Sequence, residues 1–282
     1  NNYNLTLYTG ENTNLDGDIT GINLFELYSS TTNNKTYTST GSSFSVNTLK
    51  TNYYAIFSRD KLDGEYRLIY SVSNALGGLQ YITNNLSGKY RLANNIDATE
   101  TSNWNSGAGF LPIGNSSNRF RGIFDGNNKT ITNLYINRSS TDYVGLFGYT
   151  SGAAITNVGL IGGSITGRNY VGGLVGYNGS SSSISNSYAT GSVSGSGSVG
   201  GLVGTNNGTI NSSYYNQETS GRSDTGKGTP KTTLEMMTQA TFSGWNFTTI
   251  WAIVEGETYP YLRWKYGTTA KGISGYVYTD QG

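Results

Sequence analysis

The tetrapeptide Gly-Leu-Val-Gly occurs at Gly173–Gly176 and again at Gly201–Gly204, and its variant Gly-Leu-Phe-Gly stands at Gly145–Gly148, so successive copies lie 28 residues apart. A fixed period of this size marks a stacked repeat. Gly-Ile-Phe-Asp-Gly at Gly122–Gly126 reads as an earlier copy, 23 residues before the first. A second marker supports the register: Ile-Thr-Asn-Leu from Ile131, Ile-Thr-Asn-Val from Ile155, Ile-Ser-Asn-Ser from Ile184 and Ile-Asn-Ser-Ser from Ile210, spaced 24, 29 and 26 residues.

Between the markers run short alternating stretches such as Ser-Ile-Thr-Gly, with apolar residues on one face, which read as strands. A unit of 23 to 29 residues holding two or three such strands suits one coil of a parallel β-solenoid, in which stacking supplies the core that no single coil can bury. The glycines that flank Leu174 and Val175 then either supply positive φ at corners or admit a neighbouring coil closely. Coils stacked about 4.8 Å apart make four repeats a rod of roughly 20 Å, with equivalent side chains in ladders.

Composition narrows the chemistry. Only 12% of the 282 residues are charged and the net charge is +1 without a basic cluster, so neither nucleic acid nor an anionic membrane is an expected partner. With no Cys and no His, thiol nucleophiles, imidazole bases and the usual transition-metal ligands are excluded. No apolar run is long enough to span a membrane, and the amino-terminal residues lack signal-peptide character. The chain therefore reads as a piece of something longer or as a chain whose leader has been removed.

The expected fold is all-β, a right-handed parallel β-solenoid over 71–264 with short helical or aromatic caps, the handedness following the usual crossover rule. Residues 1–70 alternate like strands without the repeat and read as a small β unit or as irregular early coils. Residues 265–282 look like the start of another β module. Upstream of the repeat, Leu76, Leu79, Ile82 and Leu86 lie at helical spacing. Downstream, a Thr cap followed by Glu235 opens a short helix, and an aromatic block with Trp245, Trp251, Trp264 and Pro260 is expected to seal the last coil.

The run from Tyr143 to Tyr215, with its Gly-Leu-Val-Gly and Ile-Thr-Asn-Val markers, resembles the GLUG-motif repeats of large exported bacterial proteins, and the likeness extends over roughly 76–264. Such repeats occur in filamentous-haemagglutinin-like adhesins of two-partner secretion and in non-catalytic regions of surface peptidases; the closing "ISGYVYTDQG" favours the first host. The resemblance implies a secreted or cell-surface location, adhesion, an outer-membrane secretion partner and no catalytic residues.

Several motifs are weighed against this. Gly195–Gly200 matches the dinucleotide fingerprint in letters, but no helix pattern follows and it falls inside the repeat. Gly221–Gly228 has Gly228 where a phosphate loop needs Ser or Thr, and reads as a flexible loop. The candidate carboxylates are Asp60, Asp63, Glu65, Asp97, Glu100 and Asp125; none forms a phase-locked set, and Asp125 reads as a turn cap. No cofactor is expected. Asp16 and Asp18 offer a weak hint of calcium, two acids where six to eight oxygens are needed.

Among 23 tyrosines, Tyr143 and Tyr170 are 27 apart and Tyr149 and Tyr177 are 28 apart, so each pair occupies equivalent places on adjacent coils. These four are the candidate ligand-binding residues, an aromatic ladder for sugar rings. Packing alone also explains them, as a partly buried stack that stiffens the rod. The expected function is a non-enzymatic adhesin segment that holds or presents a surface for a glycan or protein of a host or neighbouring cell. The alternatives are a stalk or self-associating fibre subunit and, behind these, a polysaccharide lyase or hydrolase on the same scaffold.

Overall fold

The computed structural model describes the backbone of six strands between Tyr3 and Phe57 and the residues 66–75, 77–249 and 251–262, Leu262 by its backbone alone. Asp16, Asp18, Asp60, Asp63, Glu65, Leu76 and residues 265–282 lie outside the described residues. The chain divides into two units, Asn1–Tyr66 and Arg67–Gly282. In the first, Tyr3–Thr9, Ile19–Ser29 and Phe44–Thr51 pair side by side in parallel, and so do Thr13–Leu15, Thr36–Ser39 and Ile56–Phe57. Parallel neighbours need a crossover between them, and here each crossover carries a strand of the second sheet, which is coil-like stacking without the glycine repeat.

The second unit is a β-solenoid whose successive coils contribute to four parallel faces. The long face is built from Lys89–Leu92, Ile123–Thr132, Ala154–Ile161, the pair Ser183–Ser185 and Tyr188–Ala189, and the pair Thr209–Asn211 and Tyr214–Asn216. A second face stacks Tyr135–Asn137, Ser164–Thr166 and Ser192–Ser194. A third pairs Val171–Gly172 with Val199–Gly200, and a fourth stacks Phe147–Thr150, Val175–Asn178 and Val203–Asn206. The apolar residue of each short strand points inward. Ile136, Ile165 and Val193, then Val144, Val171 and Val199, then Leu146, Leu174 and Leu202 form buried columns along the rod. No coil can bury these side chains alone, so burial and stacking are one event.

The 28-residue register holds on the fourth face, where Phe147 pairs with Val175 and Val175 with Val203. It also holds for Ile155, Ile184 and Ile210 on the long face. Two expected copies are displaced. Ile131 pairs with Leu160, and the partner of Ile155 is Phe124. The register shifts between Asp125 and Lys129, where Gly126, Asn127 and Asn128 face Asn157. This bulge, an insertion on one strand of the ladder, carries the letters of the marker one segment downstream. Gly122–Gly126 thus belongs to the long face, and the true earlier copy of the glycine tetrapeptide is Leu111–Gly114, whose Ile113 bridges to Phe147.

The Asn of the marker has a backbone role. Asn157, Asn186 and Ser212 occupy equivalent places with φ of 58°, 48° and 44°, bending the long face once per coil. Asn tolerates this left-handed region better than other residues with a Cβ, because its short side chain bonds locally. The glycines do something else. Gly148, Gly176 and Gly204 have no positive φ; a Cβ on Gly176 would stand 2.6 Å from Tyr170 O and Val144 N and 2.7 Å from Gly148 O. Backbone packs against backbone there, within a coil and between coils, and only hydrogen fits. Of the two readings offered by the sequence, close approach is the one realised.

The ends differ from the middle. Leu79 and Ile82, in and beside the 3-10 helix Gln80–Asn84, are fully buried in the solenoid core, with Leu86 packed against it. At the other end the segment Gly221–Gly228 crosses the last coil: Lys227 O accepts from Val203 N, Asp224 O accepts from the Tyr215 hydroxyl, and a Cβ on Gly228 would touch Leu202. This loop, read from sequence as flexible, closes the core. The aromatic block packs from the side instead. Phe242, Trp245, Phe247 and Trp251 cover Tyr188 and Tyr214, which project from the long face into a cluster of their own, and Tyr188 donates to Pro260 O. The short helix Thr233–Met236 that leads into it has the anticipated capping box, Thr232 with Glu235.

Candidate functional site: a tyrosine patch on adjacent coils

The four tyrosines singled out by spacing come together in one half-buried patch. Tyr149 and Tyr177 are register partners on the fourth face, their ring centroids 4.5 Å apart. Tyr143 and Tyr170 stack at 4.8 Å with planes 12° apart. The columns also meet each other, Tyr143 with Tyr149 at 5.2 Å and Tyr170 with Tyr177 at 5.6 Å, the latter edge to face. Offset-stacked and edge-to-face rings at these separations attract beyond the area they bury.

The backbone explains how two columns fit. Tyr143 and Tyr170 have φ of 61° and 55°, a region that bulky residues rarely adopt. The strain recurs on both coils, and each time the ring lies beside the next strand's tyrosine. Such a cost of order 1 kcal/mol persists only where surrounding structure enforces it. Here the enforcing contacts include Val144 N to Tyr170 O and Tyr143 N to Asn169 O, at 3.0 and 2.9 Å.

Both ends of the patch are closed. The Arg119 guanidinium lies over the Tyr149 ring at 4.7 Å, a cation–π contact, and Asn207 donates its amide to the Tyr177 hydroxyl. On the following coil Thr205 pairs with Tyr177, so the aromatic column stops. On the rim, Arg168 binds the Asp142 carboxylate with two bonds of 2.7 and 2.8 Å, and Asn169 N adds a third. The hydrogen bond from Arg168 holds Asp142 below the usual carboxylate range. Partial burial, then the neighbouring phenols, raise the Tyr143 and Tyr177 hydroxyls above theirs, so both are neutral donors at physiological pH. Each ring spends one face on its partner, and what remains toward solvent is ring edge and hydroxyl.

Asp125 accepts from Asn127 N at 2.7 Å, from Asn157 Nδ2 at 3.1 Å and from Arg91 at 2.9 Å, holding the bulge in place. Asp97 accepts from the Thr99 backbone and hydroxyl, and Glu100 sits exposed in the helical turn that follows. Among the described residues no group of three or more acidic side chains converges as a metal site. Gly195–Gly200 joins two strands and leads into no helix. One feature escaped the sequence reading: Thr150 donates to Asn178 at 3.0 Å, Asn178 to Asn206 at 2.7 Å, and Asn206 to Gly226 O at 3.2 Å. Thr150 and Asn178 are fully buried. The signal was present as Tyr-Thr, Tyr-Asn and Thr-Asn after each glycine tetrapeptide.

Comparison with known proteins agrees with the repeat. Residues 167–194 match the family model described as the GLUG motif. The chain is 44% identical over 108 residues to Halomucin of Haloquadratum walsbyi, a match that covers 35% of this chain and 1% of that protein. It is 48% identical over 56 residues to a protein of Evansella cellulosilytica described as a Gly-rich membrane protein, covering 19% of this chain and 6% of the relative. The chain thus spans a small fraction of the length of these relatives. No solved structure matches it. What these matches establish is a GLUG repeat region on a β-solenoid, similar to short stretches of far longer proteins.

Proposed function

We propose that the chain is a non-catalytic rod segment of a long surface protein, a stiff β-solenoid outside the cell that carries adhesive surfaces at a distance from their anchor. The observation that carries this reading is the unbroken register of coils, sealed by backbone contact at Gly148, Gly176 and Gly204 and by the buried Thr150–Asn178–Asn206 ladder. A rod built this way transmits load through every coil-to-coil hydrogen bond. The similarity to 1% of Halomucin and to 6% of a Gly-rich membrane protein supports a place within a much larger surface or structural chain. Extension of the full chain in a force microscope tests it. The rod reading expects distinct force peaks, each releasing about 100 Å, the contour of one 28-residue coil. Smooth lengthening without peaks would overturn it.

Adhesion by this segment itself is a second reading, favoured by the phenolic hydroxyls gathered in one patch. A glycan array probed with the labelled full chain, beside a folded Tyr149→Ala, Tyr177→Ala variant, separates the two. Selective binding lost in the variant assigns the adhesive surface to the patch. An array without signal from either protein removes glycan binding from the segment.

A further inference from the structure

We propose that the tyrosine patch is a site of oxidative cross-linking, at which a one-electron oxidant joins adjacent coils through a dityrosine bond. Phenoxyl radicals couple when two rings already lie in contact, and here two pairs do so across coils: Tyr149 with Tyr177 at 4.5 Å, and Tyr143 with Tyr170 at 4.8 Å. The diagonal pair Tyr143 and Tyr177 is 6.1 Å apart, so a radical on any of the four has a neighbour on the other coil. The rings are half-buried, reachable by a small oxidant yet held in place by the αL backbone of Tyr143 and Tyr170. The chain contains no cysteine, so no disulfide can link its coils.

The chemistry balances as follows. Each of two phenols gives one electron to the oxidant and one proton to water. The two radicals form one carbon–carbon bond between ring carbons ortho to the hydroxyls. Each ring then moves its displaced hydrogen to oxygen and recovers a phenol. Two electrons leave in all, the number that one hydrogen peroxide accepts through a peroxidase as it becomes two waters. Tyr188 and Tyr214 supply the internal contrast: they too are register partners on adjacent coils, but Tyr188 is fully covered by the aromatic block and its hydroxyl is engaged by Pro260 O. Burial raises the Tyr188 phenol far above the ordinary value, consistent with a ring that an oxidant in solvent does not reach.

The test uses the full chain, dilute, with a photo-activated ruthenium complex and persulfate as oxidant, followed by isolation of monomer and tryptic mass spectrometry. Cleavage at Arg138, Arg168 and Arg222 leaves Tyr143 and Tyr149 as the only tyrosines of peptide 139–168, and places Tyr170 and Tyr177 in peptide 169–222. The expected product is these two peptides joined with the loss of two hydrogens, together with dityrosine fluorescence and a higher melting temperature of the monomer. The link should vanish in a Tyr170→Phe, Tyr177→Phe variant, which keeps the stack and removes the phenols. Two results would overturn the proposal: unlinked peptides while other tyrosines are oxidised, or a link that survives in the phenylalanine variant.

Discussion

Replacing Gly176 by alanine adds one methyl group at the place where two coils meet backbone to backbone. The new carbon would stand 2.6 Å from Tyr170 O, 2.6 Å from Val144 N and 2.7 Å from Gly148 O. No rotamer change relieves these contacts, because all three atoms belong to the main chain, and two of them lie on the preceding coil. Overpacking of a tight core costs typically 1–3 kcal/mol, and with three rigid contacts the expected loss is about 3 kcal/mol. Gly152 provides the comparison. It has φ of +68° with nothing within 4 Å of a built Cβ, so Gly152→Ala meets only left-handed strain, roughly 1–2 kcal/mol. Urea unfolding of the full-length variants, followed by the fluorescence of Trp245 and Trp251, measures both as shifts in midpoint at unchanged slope. If Gly176→Ala proves no more costly than Gly152→Ala, the glycine tetrapeptide is not there to admit backbone, and the account of the repeat fails.

Three other expectations follow from the same geometry. Asn186, with φ of 48° at the bend of the long face, should accept glycine within a few tenths of a kcal/mol, whereas Asn186→Ala should lose about 1–2 kcal/mol, read by the same urea titration. Asn178→Ala empties the middle of a buried ladder and strands the Thr150 and Asn206 side chains that bond to it; a loss of about 1–3 kcal/mol is expected from unsatisfied groups, with little loss for an exposed control such as Ser192→Ala. Asp142 is held below the ordinary carboxylate value by Arg168. Its contribution is therefore complete above the unfolded value near 4 and disappears as pH falls through the lower folded value; Asp142→Asn should flatten that acid limb of the melting-temperature profile, and salt should shrink it.

The parts of the fold that showed in the sequence are those where one residue type is demanded at one place in every coil. Gly176 and Gly204 answer to backbone contact, Asn157 and Asn186 to a left-handed φ, and Leu174 and Leu202 to the core. Each demand recurs at a constant interval, so letters and structure agree. The first coil broke the rule because its long strand carries extra residues beside Asn157, which displaced the marker at Ile131 and hid Ile113–Gly114 as the partner of Phe147–Gly148. The aromatic block was misplaced for a different reason. A sequence shows that Trp245 and Trp251 need a partner, but only the turn of the long face shows that Tyr188 and Tyr214 look outward and supply it. Spacing also brought Tyr143, Tyr149, Tyr170 and Tyr177 together correctly, while the strained backbone beneath two of them left no mark in the letters.

The register of the coils is the central claim, and thiol pairing measures it directly in a chain without native cysteine. Ser164 and Ser192 are partners on the second face, whereas Ser194 lies opposite Thr166. Neighbouring strands about 4.8 Å apart place the Ser164→Cys, Ser192→Cys pair within disulfide reach, while a two-residue offset takes the Ser164→Cys, Ser194→Cys pair beyond about 7 Å. Mild oxidation of the folded chain should close the first pair rapidly and leave the second as free thiols. Equal closure of both, or preferential closure of the second, would contradict the stacked register from which the rest of the account is built.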